Sequence, residues 1–224
     1  MSHSDFDGSF ANGGLVSGGF IKLQRLFSAA SHHSVPIRQP DKAVESAAQS
    51  VATLREAAVL IPIIRPANNQ PSEIVLTVRS DKMKRHAGQV SLPGGTADEQ
   101  DKDAAATALR EAEEEIGLAQ QQVEVIGVLG QLAMPSGFRI TPVVGLIDAE
   151  QNLVPCPIEV ADIFNIPLEL ALDVNAYEVG TIDHGGQARK ILELQSGNRR
   201  IWGATAAILH HLAQQVAAHA DNDS

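Results

Sequence analysis

Three carboxylates, Glu111, Glu114 and Glu115, stand at i, i+3 and i+4 in the run Arg110-Glu111-Ala112-Glu113-Glu114-Glu115, behind the glycine pair Gly94-Gly95. On a helix this spacing gathers them on one face, within an arc of roughly 100°. Ala105, Ala108, Leu109, Ala112 and Ile116 fall in a neighbouring arc, so one side of the helix can pack on a core while the acids line a cleft. Such a row repels itself unless a cation neutralises it, and hard oxygen ligands of this kind suit Mg²⁺ or Mn²⁺. The competing reading is a solvated acidic helix face. Glu113 points away from the other three and is expected in solvent.

These residues also carry a family resemblance. Gly95, Arg110, Glu111, Ala112, Glu114, Glu115, Gly117 and Leu118 resemble the Nudix hydrolase signature: Gly, five residues, Glu, seven residues, then Arg-Glu-apolar-x-Glu-Glu-x-Gly-apolar. The first half departs from it. The acid falls at Asp101, with eight residues between it and Arg110, and strict register would place Lys102 there. The flanks Leu76-Thr77-Val78-Arg79-Ser80, Met83, His86, Gly88-Gln89-Val90-Ser91 and Pro93-Gly94-Gly95 resemble the coenzyme A pyrophosphatase branch, whose run is L-x-x-R-S…H-x-G-Q-V-S-F-P-G-G. The one-residue expansion is similar to that branch too, whereas Leu92 stands where the branch has Phe. Pro135-Ser136-Gly137-Phe138, Thr141-Pro142-Val143-Val144 and Ile201-Trp202-Gly203-Ala204-Thr205 extend the resemblance over residues 57 to 215.

The resemblance implies an α/β protein, a Nudix-type α/β/α sandwich with a mixed β-sheet. It implies metal-dependent hydrolysis of the pyrophosphate bond of coenzyme A or its derivatives, giving 4′-phosphopantetheine and 3′,5′-ADP. Two other readings fit the same residues: a pyrophosphatase for ADP-ribose or another nucleotide conjugate, and a non-catalytic nucleotide-binding module. Glu111, Glu114 and Glu115 are then the metal ligands, with the Gly95 backbone beside them. Arg110 orients a carboxylate of the box by a charge-assisted hydrogen bond. Asp101 either supports this loop or caps the helix. Glu159, in Pro157-Ile158-Glu159-Val160-Ala161, is expected as base or extra ligand, against a plain surface acid.

Arg79, Lys82, Lys84, Arg85 and His86 crowd five basic or potentially basic residues into eight positions just ahead of the glycines. Arg79 ends an apolar run and can fork onto phosphate oxygens, so it is the expected substrate contact. His86, Gln89 and Gly94 join it as substrate-binding candidates. Cys156, between two prolines, has no adjacent base to make it a nucleophile. Trp202 is expected in the core, and His210-His211 on the surface or partly packed.

The elements that must position these residues follow from local patterns. Residues 51 to 220 are expected to form the hydrolase domain, and residues 1 to 50 an N-terminal extension, partly disordered, with short helices. Its first 15 residues are rich in Gly, Ser, Asn and Asp. Phe20 to Ala30 has helical spacing and could pack on the domain or against a second copy in a homodimer; Asp41 to Leu54 could hold a second helix. Ala58 to Ile61 and Ile74 to Val78 read as strands joined by a turn, then a short strand at Val90 to Leu92. A helix is expected from Ala104 to Ile116, with Asp103 as N-cap and Gly117 at C′. Val123 to Leu129, Ile140 to Ile147 and Ile191 to Leu194 read as strands, Leu168 to Leu172 and Gly203 to Ala217 as helices.

Composition fits this picture. Of 224 residues, 44% are apolar and 20% charged, as in an ordinary globular protein. A net charge of −10 argues against a general nucleic-acid or membrane-surface binder, but not against a phosphorylated small molecule. The single cysteine excludes an intramolecular disulfide. No secretory, lipidation or membrane-spanning pattern is evident, so a cytoplasmic location is expected.

Overall fold

The computed structural model describes residues 18–28, 35–51, 53–83, 86–184 and 186–222. The glycine- and serine-rich tail over residues 1 to 15, read as disordered, lies outside the described residues, as do Lys84 and Arg85 of the basic run. Two helices come first, α1 (Gly18–Ser28) and α2 (Lys42–Gln49). The strands β1 (Arg55–Ile64), β2 (Glu73–Arg79), β3 (Val90–Ser91) and β4 (Gly94–Thr96) lead to α3 (Ala104–Ile116). Then come β5 (Glu124–Val128), β6 (Leu132–Met134), β7 (Phe138–Ile147), β8 (Val160–Pro167) and α4 (Leu168–Leu172). The chain closes with β9 (Tyr177–His184), β10 (Gln187–Ser196), β11 (Arg199–Trp202) and α5 (Ala204–Asn222).

β1 and β7 are ten-residue apolar strands paired in parallel from Arg55↔Phe138 to Ile64↔Ile147. Every other strand pairing is antiparallel, so the main sheet is mixed. β1 and β2 pair only at Ile63↔Ile74 and Ile64↔Glu73. They then part, and β3 and β4 fill the opening. β3 pairs with β2 at Thr77↔Ser91 and Val78↔Val90, and β4 pairs with β1 at Ala58↔Gly95 and Val59↔Gly94. The Leu60 N–H donates to the Pro93 carbonyl at 2.8 Å and closes the seam. The glycine pair is thereby built into the sheet. A Cβ on Gly94 would lie 2.4 Å from the Ala58 carbonyl oxygen, which excludes any larger residue.

Helices cover both faces of this sheet, giving the expected α/β/α sandwich. On one face Ala108, Ala112 and Ile116 of α3 meet Ala58, Leu60, Val75, Val143 and Ile147. On the other, α1, α4 and α5 pack over Ile61, Ile63, Ile74, Leu76, Val144 and Leu146. The helical stripe in α1 is therefore used within the chain: Phe20, Leu23 and Leu26 are buried in the larger core. The Gly19 N–H donates to Glu169 of α4 at 2.8 Å, which satisfies one of the orphan donors at the start of α1. Three strands form an additional small sheet, β11-β10-β9, of which the sequence suggested only the middle of β10. Trp202, expected in the core, is half-buried with the Arg200 guanidinium 5.6 Å from its ring centroid. His211 is buried rather than superficial. Among the described residues no helix is long and apolar enough to cross a membrane.

Candidate active site

Helix α3 starts and stops where its caps require. The Asp103 carboxylate accepts from the Ala106 N–H at 2.8 Å, and Gly117 leaves the helix at φ 67°, in the left-handed region glycine tolerates. This fixes the phase of the helix. Ala108, Ala112 and Ile116 go to the core, and the carboxylates turn toward β4 and the end of β2. Glu113 is exposed, as expected, and accepts from Gln120 Nε2 at 2.8 Å.

Glu115 is only 4% exposed. Its Oε2 accepts from the Gly94 N–H at 3.1 Å, a direct bond between the helix and the glycine strand. Burial pushes the Glu115 carboxyl up to about 7. The Gly94 N–H and the Arg79 charge oppose that rise, while the charges of Glu111 and Glu159 add to it. Glu111 is raised too, by burial first, against the stabilising charge of Arg110; Glu114 and Glu159 repel it. Gly95 lies against this second carboxylate. A Cβ there would come within 2.5 Å of the Glu111 carboxyl carbon, so the glycine is what lets α3 approach the strand.

Arg110 is the hub behind the acids. Its Nε and Nη2 donate to Oδ1 and Oδ2 of Asp101 at 3.1 and 3.0 Å, and Nη2 also donates to the Thr96 carbonyl at 3.1 Å. The same guanidinium pairs with Glu111 and with Glu114 Oε2, each at 3.1 Å. Asp101 thus supports the arginine, while the cap is Asp103. The bonded guanidinium holds the Asp101 carboxyl down at about 2. Thr96 carried no signal in the sequence. Asp101 carried one, as the acid nearest the first position of the box.

Glu159 comes from a turn strapped to both neighbours. The Val154 and Cys156 N–H groups donate to the last carbonyls of α3, Ile116 at 2.9 Å and Glu115 at 2.8 Å. The Cys156 carbonyl then accepts from Glu159 and Val160, and the Glu159 carbonyl accepts from the Ser80 N–H at 2.8 Å. Glu159 is thereby brought near enough to Glu111 and Glu115 to perturb both. Arg79, at the end of β2, stands next to this turn. Its Nε is buried and has no hydrogen-bond partner among the described residues. A buried donor of that kind seeks an acceptor.

His86 and Gln89 lie in the loop returning from Arg79 to β3, whose base is closed by the Arg79 N–H on the Gln89 carbonyl at 2.9 Å. His86 Nδ1 and Gln89 Oε1 are 3.0 Å apart, and His86 is exposed. A separate cavity of about 300 Å³ between α1 and β5, lined by Phe27, Arg65, Glu124 and Ile126, includes none of the candidate residues.

The donor set has the chemistry of a hard-cation site: oxygen only and acidic, with Glu111 and Glu115 raised in pKa by burial first. Among the described residues, no three His, Cys, Asp or Glu side chains converge as a ready-made cage. Glu114, with a side chain 59% exposed, is turned onto Arg110. Glu111 and Glu115, one helical turn apart, each spend one oxygen on a protein partner and keep the second. The residues fit a divalent ion held first by these two glutamates, with the Gly95 carbonyl and Glu114 or Glu159 as further oxygen donors.

The chain is similar to known proteins over most of its length. A NUDIX domain family model matches residues 54–175. Nudix hydrolase NudL of Photorhabdus laumondii, described as uncharacterized, is 45% identical over 162 residues, 72% of this chain and 85% of that protein. The same-named protein of Yersinia pestis is 42% identical over 197 residues, 88% of this chain and 97% of the relative. The crystal structure of the Nudix hydrolase RenU from M. smegmatis aligns at 21% identity over 73% of this chain and 86% of that one, with a TM-score of 0.47.

Proposed function

This chain belongs to the Nudix hydrolase family, and from that premise we propose that it cleaves the pyrophosphate bond of coenzyme A or its derivatives, releasing 4′-phosphopantetheine and 3′,5′-ADP. The observation that carries the reading is Arg79. The Arg79 guanidinium, half-buried beside a crowded carboxylate cluster and with no acceptor for its Nε among the described residues, is a site prepared for a phosphate oxygen. The run from Leu76 to Gly95, which resembles the coenzyme A branch, is the segment that holds this arginine and the Gly94 amide.

The family uses divalent metal ions, and such an ion, when bound, neutralises phosphate charge and polarises the bridging oxygens. Glu111, Glu115 and the Gly95 carbonyl would hold it here. Arg110, gripped by Asp101, keeps Glu111 and Glu114 facing the cleft. Arg79 takes an oxygen of the substrate's phosphate and counters the charge that develops as the P–O bond breaks. Glu159, on its strapped turn, accepts the proton of the attacking water. His86 and Gln89 contact the nucleotide side of the substrate from the β2–β3 loop.

The test is a substrate panel of coenzyme A, ADP-ribose, NADH and diadenosine polyphosphates, each with Mg²⁺ and with Mn²⁺, with products resolved by mass. Release of 4′-phosphopantetheine and 3′,5′-ADP as the fastest reaction supports the proposal. Faster cleavage of ADP-ribose or a dinucleotide assigns the same chemistry to another conjugate. Tight nucleotide binding without cleavage makes the chain a binding module.

A further inference from the structure

The turn that carries Glu159 also carries the most exposed large apolar side chain among the described residues. Ile158 is 67% exposed, and Val154, four residues earlier, is 57% exposed. The run Leu153 to Ile158 contains no charged residue. Exposed apolar residues on a loose loop would mean little, but this loop is not loose. Backbone hydrogen bonds tie Val154 and Cys156 to the end of α3, and tie Glu159 to Cys156 and to Ser80. Ile158 is thus held in water by a fixed backbone, one residue from Glu159 and across from Arg79-Ser80. Val154 continues the surface toward the Gly117 end of α3, where its Cβ stands 3.7 Å from the position a Gly117 Cβ would take.

We infer that Ile158, with Val154 behind it, is the subsite for the apolar arm of the substrate, the pantetheine chain and a thioester-linked acyl group. This rests on the coenzyme A reading above. The pyrophosphate must lie between Arg79 and the carboxylates, and the Ser80–Glu159 hydrogen bond places the Ile158 turn against that point. Lys82 Nζ, 3.5 Å from the Pro157 carbonyl, puts a cation at the Ile158 end of the uncharged run, which extends from there back to Val154. A substrate with phosphates at one end and methylenes at the other matches this polarity.

The experiment compares kcat/KM for coenzyme A, acetyl-, hexanoyl- and lauroyl-coenzyme A, in the full chain and in Ile158→Ser, with Val179→Ser as the control. Val179 is 60% exposed on β9, outside the site described. A methylene fully removed from water changes affinity by about fourfold, so partial cover of four methylenes should give roughly tenfold between acetyl and hexanoyl substrates. The wild type and Val179→Ser are expected to show that ratio, and Ile158→Ser to reduce it to about threefold or less. Taking a ratio removes any shared loss from a disturbed Glu159. Ile158→Leu, which keeps the apolar area, should retain the preference and so separates lost contact from lost folding. A wild-type ratio near one, or a ratio that Ile158→Ser leaves intact, overturns the inference while the coenzyme A reading stands. Failure to cleave any coenzyme A compound, with other conjugates cleaved, overturns both.

Discussion

Asp101 grips Arg110 with both carboxylate oxygens, at 3.1 and 3.0 Å, and does so from a side chain only 7% exposed. The arginine it fixes is the same one that meets Glu111 and Glu114. Asp101→Asn keeps the shape and removes the charge. By analogy with partners that orient metal ligands, we expect it to raise the metal concentration for half-maximal activity by roughly 10-fold or more. A metal titration of both proteins checks this. An unchanged midpoint would mean that Arg110 holds the acids without its anchor.

The same pair sets an acid limb of stability. The folded Asp101 carboxyl sits at about 2, below its unfolded value near 4. The unfolded chain therefore binds more protons between these values. The contribution is fully present above about pH 4 and is lost as the pH falls toward about 2. Urea midpoints measured across this window should show the wild type losing its advantage over Asp101→Asn as acid is added. A constant difference would detach the pair from the pH response.

Glu115 and Glu113 give a paired test of the helix face. Glu115 is buried against the Gly94 amide, while Glu113 is exposed and bonded to Gln120. Glu115→Gln is expected to lower kcat by at least ~100-fold, since charge stabilisation and positioning are lost together. Glu113→Gln should leave it nearly unchanged. Activity should vanish in excess EDTA and return with Mg²⁺ or Mn²⁺, and the added ion should raise the wild-type melting temperature by mass action. Full turnover in EDTA would remove the metal from the account.

How much of this was legible depended on whether a residue's role is local. Helix α3 and both its caps could be read because Asp103, the apolar spacing and Gly117 all act within a few residues of one another. The opposite facing of Glu115 and Glu113 was legible for the same reason, whereas the turn of Glu114 onto Arg110 was not. β4 was not, because the Gly94-Gly95 pair is a poor strand former and is made a strand by its pairing with β1. β8, Val160 to Pro167, interleaves Asp162 and Asn165 with its apolar residues, and its pairing with β2 spans a long stretch of chain. β9 carries Gly180 and an exposed Val179, so period two is weak there. The choice between Asp101 as support and as cap needed the reach of the Arg110 fork, which spacing does not encode.

Helix α1 also depends on partners distant in sequence, Glu169 of α4 and Gly127 of β5. Leu23 is fully buried, and Gly127 of β5 is pressed so close to Phe27 that a Cβ would fall 2.1 Å from the ring. Leu23→Ala should cost about 2–5 kcal/mol of unfolding free energy. Gly127→Ala should also destabilise, by pushing the ring out of place. Denaturant unfolding measures both. A loss below about 0.5 kcal/mol at Leu23, the level of an ordinary surface substitution, would mean that α1 is only loosely held.

The sharpest prediction concerns the phosphate that coenzyme A has and dephospho-coenzyme A lacks. If the segment from Arg79 to Gln89 belongs to a coenzyme A site, one of its cations is reserved for the 3′-phosphate. Arg79 is placed on the scissile phosphates, so the 3′-phosphate contact falls to another cation of the run. One charge-assisted contact is worth about 1.5–3 kcal/mol, roughly 10- to 150-fold in kcat/KM. Coenzyme A should therefore be cleaved faster than its dephospho form by a factor in that range, and Arg79→Ala should slow both substrates and leave the ratio in place. The same arginine also lowers the Glu115 pKa, so some loss of rate on both substrates is expected. The ratio separates the two effects. If Arg79 serves only the scissile phosphates and Glu115, both substrates slow alike and the ratio holds. If it serves the 3′-phosphate, coenzyme A slows more. Equal wild-type rates for the two substrates would remove the 3′-phosphate contact altogether.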